Sequence, residues 1–208
     1  MNMRTLSGYS LLELMVTVTV AGVVLGLGVP NFMQLQRNNA MIGVANDLVS
    51  SLSIARSEAV KRQVPVTLCS SPNPTDAAPA CGFGNGGYIV FVDENNGVLG
   101  DATDGNAIVD ANELVLVQRD DPNAVINISS NGGAYASYAM NGYLVPTAVG
   151  QGQPSMTVIL ICDDRGNEDA GGRSSARVVQ IAPTGRAQVL RSQADVAAAA
   201  GATGGVCP

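Results

Sequence analysis

The chain has no histidine and no tryptophan, and aromatic residues make up only 4% of it. Without histidine there is no Ser–His or Cys–His nucleophilic pair, no imidazole general base and no imidazole metal ligand. Charge is also sparse. Asp, Glu, Lys and Arg account for 13% of the 208 residues, and the net charge is −6. A chain of that balance carries no whole-molecule field favourable to nucleic acid. No CxxC pair occurs among Cys69, Cys81, Cys162 and Cys207, which argues against a zinc ribbon. No internal repeat is visible.

What is abundant is apolar residues, 46% of the chain, and glycine, of which there are 24. That hydrophobic share is incompatible with a disordered polymer. Glycine-rich, charge-poor sequence suits a β-rich body with many turns. An even cysteine count behind an apolar N-terminal segment points to disulfides in an oxidising compartment. Four cysteines allow three pairings. Cys69–Cys81 closes a proline-rich loop and Cys162–Cys207 pins the tail, and these are the favoured pairs against the alternative of free buried thiols.

The stretch Ser7–Val18 reads SGYSLLELMVTV. From Tyr9 to Val29 the chain is apolar except for Ser10, Glu13, Thr17, Thr19 and glycines. As a helix those residues span roughly 31 Å, about one hydrocarbon core. A carboxylate at a bilayer centre costs roughly 2.5–3.5 kcal/mol on insertion scales, so Glu13 needs a partner. A secretory signal peptide would carry its small-residue cleavage site after the apolar run, whereas Gly8 precedes it. A plain membrane anchor has no use for the acid.

Gly8-Tyr9-Ser10-Leu11-Leu12-Glu13-Leu14 resembles the prepilin motif of type IV pilins and type II secretion pseudopilins. The resemblance implies a leader of residues 1–8, cleaved after Gly8 by a prepilin peptidase that then N-methylates Tyr9. The family usually has Phe at that position, so Tyr9 is a departure. Pro30 matches the family's helix-breaking proline. By the same resemblance, Glu13 faces the N-terminal ammonium of a neighbouring subunit in a filament, where each charge offsets the other's desolvation. Residues 9–30 are then the membrane and filament-core helix, and Glu13 and Pro30 serve assembly.

Past Pro30, the apolar positions Phe32, Leu35, Ile42, Ala45, Leu48, Val49, Leu52, Ala55 and Ala59 recur at three- and four-residue steps. The spacing predicts an amphipathic helix over residues 31–62, ended by Pro65. A β-rich head follows over residues 63–208. Strands are expected at Val64–Cys69, Tyr88–Val92, Glu113–Gln118, Val125–Ser129, Tyr135–Met140, Met156–Ile161, Arg177–Ile181 and Ala187–Leu190. A hairpin turn is expected at Thr184-Gly185. The Ala/Gly-rich stretch Gln193–Gly205 reads as a mobile tail unless Cys207 ties it down. The segments GGYIVFVDENNG, VDANELVLVQR, ILICDD and IAPTGRAQV resemble the GspH/FimT-type pilin domain. The fold implied is α+β: a long N-terminal helix, half membrane and half amphipathic, packed on a β-sandwich-like C-terminal head.

Asp93, Asn95, Asp101, Asp104, Asp110, Asn112 and Glu113 form an oxygen-rich cluster. Calcium takes six to eight such ligands, but no register fits the twelve-residue calcium loop. The expectation is a solvated loop, with no metal and no cofactor. No base partners these acids, so no enzyme is expected. A second constellation is basic. Residues 170–192 hold Arg173, Arg177, Arg186 and Arg191 and no acid, whereas residues 93–121 hold eight acids and only Arg119. FimT-type pilins bind DNA through a Gly-Arg-x-Arg motif, and Gly185-Arg186-Ala187-Gln188 keeps only its first arginine. DNA is therefore a disfavoured partner, and the arginines read more readily as a solvated hairpin end.

The resemblance implies a minor pilin of the FimU type. It would sit in the inner membrane with a periplasmic head, and then near the tip of a type IV pilus at the cell surface. Its partners would be the major pilin, other minor pilins and the prepilin peptidase. The alternatives are a FimT-like DNA-binding minor pilin and a GspH-like pseudopilin of type II secretion.

Overall fold

The computed structural model describes residues 10–82, 87–94, 105–110, 113–120, 126–168, 171, 173–205 and 207. The chain divides into two compact units, residues 1–40 and 41–208.

The described part of the first unit is helical. Helix α1 runs from Leu11 to Arg62, so its first thirty residues belong to this unit. It continues through position 30 without interruption. The helix places Glu13 in its first turn and Lys61 and Arg62 in its last, each on the side its charge favours in the helix dipole. Thr17 and Thr19 return their hydroxyls to Leu14 O and Met15 O, which satisfies polar groups within an apolar helix. Leu11, Leu14, Val18, Val24 and Leu25 are exposed by more than half.

The second unit contains the rest of α1, eight described strands and a second helix. The buried positions of α1 here are Met41, Ala45, Leu48, Leu52, Ala55 and Ala59. Their steps of four and three residues trace one stripe. The stripe begins at Met41, which the sequence pattern did not single out; Ile42, which it did, is 42% exposed. Phe32 and Leu35, also expected on the apolar face, are exposed in the first unit. The helix ends where Gln63 turns left-handed at φ 59°, with its side-chain amide donating to Val60 O. Pro65, two residues on, has no N–H with which to continue the ladder.

Strands β1 (Val66–Ser70), β2 (Tyr88–Val92), β3 (Val115–Arg119) and β5 (Tyr135–Tyr138) form one antiparallel sheet in the order β3-β2-β1-β5. Strands β4 (Asn127–Ser130), β6 (Val158–Cys162), β7 (Arg173–Ile181) and β8 (Ala187–Ser192) form the other, in the order β4-β6-β7-β8. Both sheets turn one face to a common core with α1. Val66, Leu68, Val90 and Tyr138 come from the first sheet, and Ile159, Ile161, Val179 and Ile181 from the second. Period-two alternation sends Ile89, Phe91 and Tyr135 to the opposite face of the first sheet, where Ala107 and Ala148 cover them. Burial on both faces is why Tyr88–Val92 is an unbroken apolar run rather than an alternating one.

The outer face of the second sheet carries helix α2, Gln193–Thr203. Val196 and Ala199 pack there on Leu160, Ala176 and Val178. The stretch that reads as a mobile tail unless Cys207 ties it down is a packed helix, and Cys207 is indeed bonded to Cys162. Ser192 caps it, accepting from Asp195 N at 3.1 Å, and Gly204 ends it in the left-handed conformation. β7 begins at Arg173, four residues earlier than expected, with an irregular register between Arg173 and Val178.

Candidate functional site

The residues that the sequence marks for processing and assembly lie in the first unit. Gly8 and Tyr9 lie outside the described residues. Glu13 is on the first turn of α1. No described residue forms a salt bridge with its carboxylate. Position 30 is helical. Among the described residues, α1 is the one helix long and apolar enough to cross a membrane.

In the second unit Cys69 is bonded to Cys81 and Cys162 to Cys207, each pair with Cα atoms 5.6 Å apart. The first closes the loop that follows β1, within which Asn73 accepts from Ala80 N and donates to Asp76. The second joins the end of β6 to the chain beyond α2. It holds α2 on its sheet across a separation of 45 residues.

Of the acidic cluster, Asn95, Asp101, Asp104 and Asn112 lie outside the described residues. Asp93 turns inward and is fully buried. Its carboxylate accepts from Thr67 Oγ1 at 2.6 Å, Asn106 N at 3.0 Å and Ala107 N at 2.9 Å. Burial raises its pKa, and those three donors oppose the rise. Asp93 thus anchors the loop by its backbone, helped by the left-handed Gly105 and Ala107. Glu113 accepts from Asp110 N at 2.8 Å. Burial and the nearby Asp93 and Asp110 push its pKa up to about 7. Among the described residues no group of three His, Cys, Asp or Glu side chains is placed to hold a metal ion.

The four arginines of residues 170–192 are not one patch. Arg173 and Arg186 are exposed at opposite ends of the β7–β8 hairpin. Arg191 is half-buried and donates to Ser174 O. Arg177 is buried, 3% exposed, and its Nη1 donates to Ser174 O, Ser175 O and Ala176 O. Burial first, then repulsion by Arg191 and Arg165, lowers its pKa to about 10. Three backbone carbonyls at an irregular stretch of β7 therefore hold one end of the arginine that the sequence groups with the surface cations, while its Nη2 is buried without a hydrogen-bond partner.

Arg186 instead meets the end of α1. A groove there is lined by Ser53, Arg56, Ser57, Val60, Lys61, Gly185, Arg186 and Ala187. Gly185, at φ 79°, makes the expected turn, in which Ala182 N donates to Arg186 O. Arg56 donates from Nε to Gly142 O at 3.0 Å. No sequence pattern linked residue 56 to residue 186. Its only trace is that Arg56 lies off the buried stripe of a helix whose end must meet a sheet.

A sequence profile of the family described as type II transport protein GspH matches residues 44–185. No curated protein matches the chain. Two crystal structures of the type IV minor pilin FimU of Pseudomonas aeruginosa are similar to it in part. One is 19% identical, with a TM-score of 0.41, over 73% of this chain and 89% of that one. The other is 18% identical, with a TM-score of 0.42, over 71% and 90%. The matched profile spans the last part of α1, from residue 44, and strands β1 to β7, and it ends at Gly185, before Arg186 and β8. The chain belongs to the GspH family.

Proposed function

We propose that this chain is a minor pilin of FimU type, a structural subunit that joins a type IV pilus near its tip. The observation that carries the reading is Glu13: an acid inside an apolar helix, with no salt-bridge partner among the described residues. An ionised carboxylate in a dry environment needs a compensating charge, and the free ammonium of a processed neighbour supplies one. The parts then divide as a leader of residues 1–8, a membrane and filament-core helix of residues 9–30, an amphipathic segment of residues 31–62 and a head of residues 63–208. Cleavage after Gly8 and methylation of Tyr9 by the prepilin peptidase create the ammonium. The inner membrane holds the subunit, head outward, until it associates with the major pilin and other minor pilins.

Glu13→Val tests this directly. The variant keeps the apolar helix, so it is expected to be processed and retained in the membrane yet absent from sheared filaments. Wild-type amounts of Glu13→Val in the filament fraction would overturn the reading. The family description, a type II transport protein, favours a second reading as a secretion pseudopilin. Deleting the gene separates the two: loss of surface pili with normal secretion supports the first, and the reverse supports the second.

A further inference from the structure

We propose that the groove between the end of α1 and the β7–β8 turn is a docking site for an acidic peptide segment of another protein chain. The inference does not depend on the filament role.

Two segments more than a hundred residues apart build the groove, with Arg56 and Lys61 on one wall and Arg186 on the other. Arg186 is exposed and the Lys61 side chain is 69% exposed. Arg62 stands beside them, and Glu58 is the one acid in the last two turns of α1. Its carboxylate is shared between Lys61 at 3.1 Å and Arg62 at 2.8 Å, and those two bonds lower its pKa. One carboxylate against four cations leaves a local positive excess on a chain whose net charge is −6. The walls are held in place. Arg56 is fixed to Gly142 O, and a Cβ at Gly185 would strike Gly142 O and approach Tyr138. The turn therefore seats against the helix end only as glycine.

The hydroxyls decide which polyanion fits. Ser53 Oγ donates to Val49 O at 2.8 Å and Ser57 Oγ donates to Ile54 O at 3.0 Å. A hydroxyl has one proton and two acceptor lone pairs, so both serines are left as acceptors. A peptide offers them backbone N–H groups while its carboxylates meet the cations. A phosphodiester backbone offers no donor. Duplex DNA also gains affinity with the number of phosphates neutralised, and a few cations in a recess engage few of them.

The test uses the full-length chain in non-ionic detergent, with fluorescein-labelled hexaglutamate as the probe, read by anisotropy at 50 mM salt. Hexaserine and a 20-base-pair duplex serve as comparisons. Saturable hexaglutamate binding is expected, with hexaserine unbound and the duplex weaker. Arg186→Gln and Lys61→Gln should each weaken it about two- to fivefold, the range for exposed charge pairs, and the double variant about tenfold. Arg186→Lys should retain most of the binding. Both residues are exposed, so the thermal melts should not change. No preference for hexaglutamate over hexaserine would overturn the proposal, as would wild-type binding by the double variant. Tighter binding of the duplex, lost in the same double variant, would also overturn it by assigning the groove to nucleic acid.

Discussion

At the scale of single residues, the carboxyl of Glu113 and the backbone of Gly185 each have a measurable consequence. Glu113 has a pKa raised to about 7 in the folded chain by burial and by Asp93 and Asp110. Its unfolded value is ordinary, so the folded state binds more protons between about pH 4.5 and 7. Stability contributed by its neutral form is present below that window and is lost as pH rises through it. Asp93, also raised by burial, contributes in the same direction. Glu113→Gln is expected to flatten the fall in melting temperature between pH 5 and 8 and to raise the melting temperature at pH 8. An unchanged pH profile would count against this. Gly185 is the second case. Its φ of 79° and the carbonyl of Gly142 leave no room for a Cβ, so Gly185→Ala should destabilise by about 1–3 kcal/mol in urea titration. Gly150, with φ 72° but open space around it, should lose less when changed to Ala.

At the scale of elements, α1 shows how one sequence serves two surroundings. From Met41 on, a stripe of small and branched residues at three- and four-residue steps lies buried. Leu52, 1% exposed, should cost about 2–5 kcal/mol when changed to Ala. Ile54, 37% exposed, should cost under about 1 kcal/mol by the same urea assay. The periodicity of residues 31–62 was legible because it repeats. The start of the burial at Met41 was not, because it depends on where the sheets reach. That the tied-down tail forms helix α2 was not legible, for a related reason. Its alanines carry little hydrophobic signal, and the Ser192–Asp195 cap that marks its start is a local cue easily outweighed by glycine content. Cys162–Cys207 closes a separation of 45 residues, worth about 4 kcal/mol in the chain-entropy account. Replacing both cysteines by serine should remove stability of that order and raise amide exchange across α2 ahead of the strands. Uniform exchange in both proteins would show that the bond does not hold the helix.

At the scale of the whole molecule, every residue of the three buried clusters falls in residues 41–208. A chain that starts at about residue 34 should therefore be soluble, monomeric and oxidised, with one cooperative urea transition. Its mass should lie about 4 Da below the reduced value, since each of two bridges loses two hydrogens. Aggregation of this fragment, or four alkylatable thiols in the folded form, would contradict that expectation. Locally encoded features of this molecule could be read without coordinates: the long helix, the isolated Glu13, the apolar strand at Tyr88–Val92 and the Thr184-Gly185 turn. Periodicity, charge placement and turn chemistry are properties of neighbours in sequence. Only the fold decided that Asp93 turns inward, that Arg177 is buried with its Nη1 on backbone carbonyls, and that Arg186 stands across a groove from Arg56 and Lys61. Those outcomes depend on which strand lies beside which, and contacts between residues a hundred positions apart leave no period in the chain.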